Sequence, residues 1–283
     1  AYFDLDEDGQ PRTVTGVPPD YFSATGQRWG NPHYRWEAMA ADDYRWWKRR
    51  LAAKLALFDI IRVDHFRGFE SSWVIPASHE NAIDGHWVKV PGYDLFSSLI
   101  NEFGSLPLVA EDLGIITPEV EALRDHFHFP GMRILQFAFS GEADNPYLPE
   151  NHSVNSVVYT GTHDNDTSLG WYQALDEKTR AYVNDYLGVE AGDVMPWPLI
   201  EAALASVANT AILPMQDVLA LDGRHRMNTP GTMTGNWCWR FDWEDVPEGL
   251  DVHLATLTRR YARQPGVADD ENVTGMDKGI ISD

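Results

Sequence analysis

Apolar positions along this chain follow two spacings. Over residues 36–58, Tyr44, Trp47, Leu51, Leu55 and Phe58 recur every three or four positions, which predicts a helix with one buried face. Residues 93–103 and 250–261 keep the same period, and further helical segments are predicted at 177–188 and 197–208. Thr117-Pro118 reads as another helix start, with Thr as N-cap and Pro at the first position. Between these lie apolar runs too short for helices: 60–63, 108–110, 131–139, 154–159 and 211–215, each read as a buried strand. Ser72-Trp73-Val74-Ile75-Pro76 is one more apolar step, closed by proline. Residues 1–35 lack helical periodicity and are rich in Gly, Pro and aromatics, the mark of a long functional loop. The stretch 265–283 is acidic and aperiodic and is expected to be a disordered tail, leaving 1–264 as the folded part.

Short strands alternating with helices predict an α/β fold with a parallel sheet. Three of the strands empty into polar residues at their C-terminal ends, as in a (β/α) barrel, whose active sites sit on that face. Only five clear strands are visible where a barrel needs eight, so an incomplete barrel and a Rossmann-like sheet both stay open. No Gly-rich phosphate loop follows any strand, which weakens the nucleotide-binding alternative.

The polar ends carry the candidate chemistry. In Arg62-Val63-Asp64, residues two apart on a strand face the same way, and a guanidinium beside a carboxylate favours its ionised form. An ionised carboxylate at a strand mouth suits a covalent nucleophile, although a structural Arg–Asp pair would look the same. Glu111 is reached through the apolar Leu108-Val109-Ala110, so partial desolvation should raise its pKa and keep a proton available near neutrality. With Asp164, in Thr160-Gly161-Thr162-His163-Asp164-Asn165-Asp166-Thr167, these acids form a set able to divide nucleophile and acid roles in glycosidic bond cleavage. Asp112 and Asp166 read as residues that orient the loops beside them.

Composition narrows the partners. Lys and Arg total 22 against 43 acidic residues, a net charge of −21 that repels nucleic acid and anionic membranes. Aspartate is abundant and Lys scarce, a pattern of salt adaptation or of a GC-rich genome, and both readings stay open. Eleven Trp and eleven Tyr lean towards flat, polar-edged ligands such as sugars. A single cysteine, Cys238, forbids an intramolecular disulfide and is expected to be an inert packed thiol. His65, His79, His86, His126 and His128 form no metal-ligand spacing. No apolar run approaches a membrane span and no signal peptide precedes Ala1, so a cytoplasmic protein is expected, although the chain opens in mid-pattern without Met.

Five segments, in order, resemble the 4-α-glucanotransferases called amylomaltases or disproportionating enzymes, relatives of the α-amylases. They are Gly16-Val17-Pro18-Pro19-Asp20-Tyr21-Phe22-Ser23, Gly26-Gln27-Arg28-Trp29-Gly30-Asn31-Pro32, Arg62-Val63-Asp64-His65-Phe66-Arg67-Gly68, Ala110-Glu111-Asp112-Leu113-Gly114 and the Thr160–Thr167 run. The resemblance implies a (β/α)8 barrel of the α-amylase type, incomplete at the N-terminus of this chain. It implies retaining transfer between maltooligosaccharides, amylose or other α-1,4-glucans, with neither metal nor organic cofactor. By the family pattern Asp64 is the nucleophile, Glu111 the general acid/base and Asp164 the transition-state stabiliser. Arg62 and His163 match sugar contacts, Tyr21, Phe22, Gln27 and Trp29 an acceptor loop at 16–32, Phe137 an aromatic near the scissile bond, and Asn236 a further motif position. An α-1,4-glucan hydrolase, or an inactive fragment that only binds glucan, are the alternatives, and oligomeric state stays open.

Overall fold

The structure, a computed structural model, describes residues 2–19 and 23–264. Tyr21, Phe22 and the stretch 265–283 therefore lie outside the described residues. The chain divides into two units. One comprises residues 1–138, 142–159 and 207–212; the other comprises 139–141, 160–206 and 213–283.

The first unit begins where a loop was expected, with an antiparallel hairpin of β1 (Thr13–Val17) and β2 (Gln27–Pro32). β1 alternates between half-buried and buried positions, but β2 is largely solvent-facing, so the periodic signal of a half-buried strand is missing from the second arm. Glycine is required here: a Cβ at Gly16 would sit 2.0 Å from the Gln27 carbonyl oxygen across the hairpin. The single helix expected over 36–58 is broken into α1 (Trp36–Ala40) and α2 (Arg45–Leu55). Asp43 and Tyr44 take left-handed backbone between them, with φ of 55° and 54°. Two contacts hold the break: the Asp43 carboxylate accepts from Lys48 Nζ at 2.6 Å and Ser98 Oγ at 2.5 Å, and Tyr44 is buried.

β3 (Ile61–Val63) follows, then β4 (Ser71–Pro76) and β5 (His86–Lys89), which extend the hairpin into an antiparallel sheet of order β2-β1-β4-β5. Next come α3 (Gly92–Phe103), β6 (Leu108–Ala110), α4 (Pro118–His126), β7 (Gly131–Ile134), β8 (Ser156–Tyr159) and, much later, β9 (Thr210–Ile212). Thr117 stands at the α4 N-cap position with extended backbone, although its side chain makes no capping bond. β3 pairs with β6 in parallel, and β7, β8 and β9 form a second parallel set in that order. The Ala110 N–H donates to the Pro130 carbonyl at 2.8 Å, joining the end of β6 to the start of β7.

These are the five expected strands, following one another in space in chain order. The one expected over 131–139 stops at Ile134, where a 3-10 turn takes over, and the one expected over 211–215 stops at Ile212, ahead of the short helix Met215–Val218. A doubly wound sheet reverses order at a switch point, and this sheet does not. Among the described residues, β3 and β9 each have one strand neighbour only. That corrects the expectation of a buried strand at β3: its three residues are half-buried and Ile60 is 64% exposed, because nothing pairs with its outer edge. The core lies around Met39, Phe66, Phe69, Leu95, Phe96, Leu99, Leu123 and Phe129.

The second unit is helical: α5 (Ser168–Ala174), α6 (Glu177–Leu187), α7 (Trp197–Ala205), α8 (Met215–Val218) and α9 (Leu250–Arg260). α7 packs against α6, α8 and α9. Cys238 is exposed rather than packed; its thiol reaches the Asn236 carbonyl at 3.2 Å. Among the described residues, no helix is long and apolar enough to cross a membrane.

Candidate active site

The parallel register of β3 and β6 ends at Val63 opposite Ala110, so the next residues of the two strands, Asp64 and Glu111, leave neighbouring strand ends. The backbone ties them: the Glu111 N–H donates to the Val63 carbonyl at 3.0 Å, and the Glu111 carbonyl accepts from Phe66 N–H at 2.9 Å. After Asp64 the chain turns at His65, whose φ of 47° lies in the left-handed region, rarely occupied by a side chain with a Cβ. A 3-10 turn over Phe66–Phe69 then sinks two rings into the core, where Phe66 stacks on Phe96 at 5.7 Å. Burying those rings is what holds the turn carrying Asp64 in place.

Asp64 itself faces solvent, its side chain 84% exposed, with one oxygen 3.1 Å from Arg62 Nη2. Glu111 is different. It is half-buried, and its carboxyl pKa is pushed up to about 7, chiefly by loss of solvation. The His65 backbone N–H, which donates to the Glu111 carboxylate, opposes that rise; the Asp64 charge adds to it, Arg62 counters it and Asp112 adds to it. Two carboxyls on adjacent strand ends thus have unlike environments, one open and paired with a guanidinium, the other desolvated and holding a proton near neutrality.

Asp112, next along from Glu111, is a buried staple. One of its oxygens accepts the Met132 N–H at 2.7 Å, and the other takes Arg124 Nη1 and, at 3.4 Å, Arg133 Nη1. A Cβ at Gly131 would fall 2.4 Å from that second oxygen, so glycine is needed where β7 begins. The loop-orienting role expected for Asp112 has this concrete form.

The acceptor-loop residues that the structure describes lie on β2. Gln27 Oε1 accepts the Trp29 indole N–H at 3.1 Å, and Trp29 packs edge-on to the His65 imidazole with centroids 4.8 Å apart. Burial pushes the imidazole down to about 4, with Asp64 opposing and Arg67 reinforcing, so His65 is neutral at pH 7. Arg62, Asp64, Glu111, Gln27 and Trp29 are therefore brought together, with His65 between them. Phe137 ends a 3-10 turn after β7 and meets Tyr147 edge-on at 5.4 Å.

His163, Asp164 and Asn236 belong to the other unit. There His163 Nε2 lies 3.2 Å from one Asp164 oxygen, while Asn228 Nδ2 donates to the other at 2.6 Å. Arg226 donates to the Asp164 carbonyl at 3.0 Å. The Asn165 side chain clamps Thr162, accepting from its N–H and hydroxyl. Buried Asp217 accepts from Thr160 Oγ1, Ser168 N–H and Ser168 Oγ, pinning both ends of the loop that carries Asp164. Desolvation raises the pKa of Asp217 even so, with these three bonds opposing. Asn236 spends both ends of its amide on Thr229 and Thr232, which shapes the loop placing the Trp237 ring 4.9 Å from that of His163.

Sequence reasoning missed Asn228, Arg226 and Asp217, which stand 49 to 64 residues from the partners they hold around Asp164. It also missed the part played by His65. The one available signal was that His65 follows a charged strand end and precedes a buried aromatic pair.

The profile of glycoside hydrolase family 77, described as 4-alpha-glucanotransferase, matches residues 1–245. A 4-alpha-glucanotransferase of Synechocystis sp. is 51% identical over 260 residues, which cover 91% of this chain and 52% of that protein. One from Thermus thermophilus is 52% identical over 246 residues, or 84% of this chain and 49% of that protein. Among solved structures, the amylomaltase from Streptococcus agalactiae in complex with acarbose superposes with a TM-score of 0.89 at 37% identity. The match covers 92% of this chain and 53% of that one. The chain thus spans about half the length of the curated relatives it matches. Its fold is that of the amylase-type barrel, incomplete within these residues.

Proposed function

Because this chain belongs to the 4-alpha-glucanotransferase family, glycoside hydrolase family 77, we propose that it carries the acids of a retaining transfer of α-1,4-glucan segments between maltooligosaccharides. An Asp64 oxygen attacks the anomeric carbon while Glu111 gives its proton to the departing glycosidic oxygen. That leaves a glycosyl ester on Asp64 and a free glucan end. The 4-hydroxyl of an acceptor then loses its proton to Glu111, its oxygen takes the anomeric carbon, and the Asp64 carboxylate leaves.

The observation that carries this reading is the contrast at two adjacent strand ends: Asp64 exposed beside Arg62, Glu111 desolvated with a pKa of about 7. Arg62 stands beside the nucleophile, and burial keeps the acid protonated. Asp164 takes the stabilising role, and His163 and Arg62 the sugar contacts, on the strength of the sequence resemblance. Tyr21, Phe22, Gln27 and Trp29 form the acceptor platform on the same footing, and Phe137 an aromatic close to the reacting sugar. The loop-bound amide of Asn236 supports a role in shaping its own loop. The solved relative holds acarbose, which supports the same class of ligand here.

One observation favours hydrolysis as a second reading: at 84% exposure, an ester on Asp64 would be open to water. Incubation with maltotriose, products resolved by size, separates the readings. Glucose with a ladder of longer oligosaccharides, abolished by Asp64→Asn, is the expected result. Glucose and maltose alone would mean hydrolysis, and glucan binding without products would mean an inactive chain.

A further inference from the structure

We infer that His65 is a positioning residue that fastens the acceptor hairpin to the acid/base: its backbone N–H is aimed at the Glu111 carboxylate while its imidazole carries Trp29. The inference rests on the proposed role of Glu111 for its catalytic meaning, but not for its geometry.

Three features meet in this one residue. Its backbone is left-handed at φ 47°, and a residue with a Cβ holds that conformation only where its surroundings over-determine it. The conformation turns the N–H towards Glu111, which accepts it. On the other side the imidazole meets the Trp29 indole edge-on at 4.8 Å and 86°, and Gln27 Oε1 fixes that indole through its N–H at 3.1 Å. Gly68 closes the pocket: a Cβ there would stand 3.0 Å from His65 Cδ2. The chain of contacts runs Gln27, Trp29, His65, Glu111, and each member but the last has its place set by its neighbour.

Arg67 and Asp64 are the charges acting on the ring; Asp64, Arg62 and Asp112 act on Glu111, and the Tyr147 phenol feels its charge. A sugar that displaced Trp29 would shift the imidazole and with it the donor that stabilises the ionised acid. The proton affinity of Glu111 would then depend on whether the acceptor side is filled.

Two-dimensional amide NMR of the chain, with 13C-labelled glutamate carboxyls, tests this without any need for activity. An N–H donating to a carboxylate moves downfield as that carboxylate ionises, so the His65 amide should follow the Glu111 carboxyl through a shared midpoint near 7. The imidazole titrates near 4 and cannot supply that inflection. Glu111→Gln should erase it. Trp29 is 41% exposed, so Trp29→Ala should fold; it should shrink the amide's downfield movement, and Trp29→Phe should restore it. An amide that ignores the Glu111 titration, or keeps its full amplitude in Trp29→Ala, would overturn the inference. Loss of the transfer reading in the maltotriose assay would leave these shifts untouched, so the two failures are distinguishable.

Discussion

Glu111 and His65 are neighbours with opposed proton linkage. Unfolded, Glu111 releases its proton near 4.5, but burial holds it to about 7 in the folded chain. Between those values the native state carries a proton the unfolded state has lost, so stability falls as pH rises. His65 binds a proton near 6.5 unfolded and only near 4 folded, so its contribution falls as pH drops through that window. The two slopes offset in wild type. Glu111→Gln should leave the His65 slope alone and gain on the order of 3 kcal/mol over wild type at pH 8. Urea unfolding at pH 5 and pH 8 measures it; parallel curves for the two proteins would refute it. For activity, the linkage predicts a rate that falls as pH rises through about 7, when the acid loses its proton. A pH–rate profile without that limb would remove Glu111 as the acid. Asp64 and Glu111 could be singled out in the sequence because strand patterning ends at each, and Asp164 because of the dense polar run that follows β8. Their partners could not, since Asn228 meets Asp164 through a fold that brings together residues 64 apart.

At the level of elements, a single buried carboxylate reinforces the backbone join between β6 and β7. Asp112 is 4% exposed and binds two arginines and a backbone N–H. Asp112→Ala would leave Arg133 enclosed without its counter-charge and Arg124 with Asp125 alone, a loss of about 3–5 kcal/mol. Denaturant midpoints of the variant should fall accordingly, and an unchanged midpoint would show that water satisfies both guanidiniums. The β1–β2 hairpin makes a functional prediction instead: Trp29→Ala should raise the ratio of hydrolysis to transfer by uncovering the intermediate. Product ratios on maltotriose read that directly, and an unchanged ratio would take the hairpin out of the mechanism. Half of the antiparallel sheet holding this hairpin was invisible to periodicity. β5 faces solvent along its whole length and β2 along most of its own, so neither shows the alternation that burial of one face writes into a strand. The helix break at Asp43–Tyr44 escaped notice for a related reason: the apolar spacing survives it, because Tyr44 and Leu51 still reach the same core.

For the molecule as a whole, five strands in barrel order leave two unpaired edges among the described residues. Leu57, Phe58 and Ile60 stand exposed beside the first edge and Ile212 in the last strand. Such edges template association, while a net charge of −21 resists it. Salt screens the repulsion and spares the apolar contact, so self-association should increase between about 10 mM and 150 mM salt. Sedimentation at the two ionic strengths tests it, and Ile60→Lys should blunt the rise. A chain that stays monomeric in both would mean that these edges are protected. All five of these strands were legible as short apolar runs. What the runs could not reveal was solvent at β3, because an unpaired neighbour leaves no trace in the strand that lacks it.

The order of those strands has a consequence for the chain as it leaves a ribosome. Each parallel strand after β3 docks beside the one synthesised before it, so a growing polypeptide finds its template already present at every step. The first pairing needs β3 to wait while β4, β5 and α3 emerge, and the last needs β8 to wait for α5, α6 and α7. Pauses in translation would therefore be felt most at these two gaps, where one strand has been made and its next partner has not.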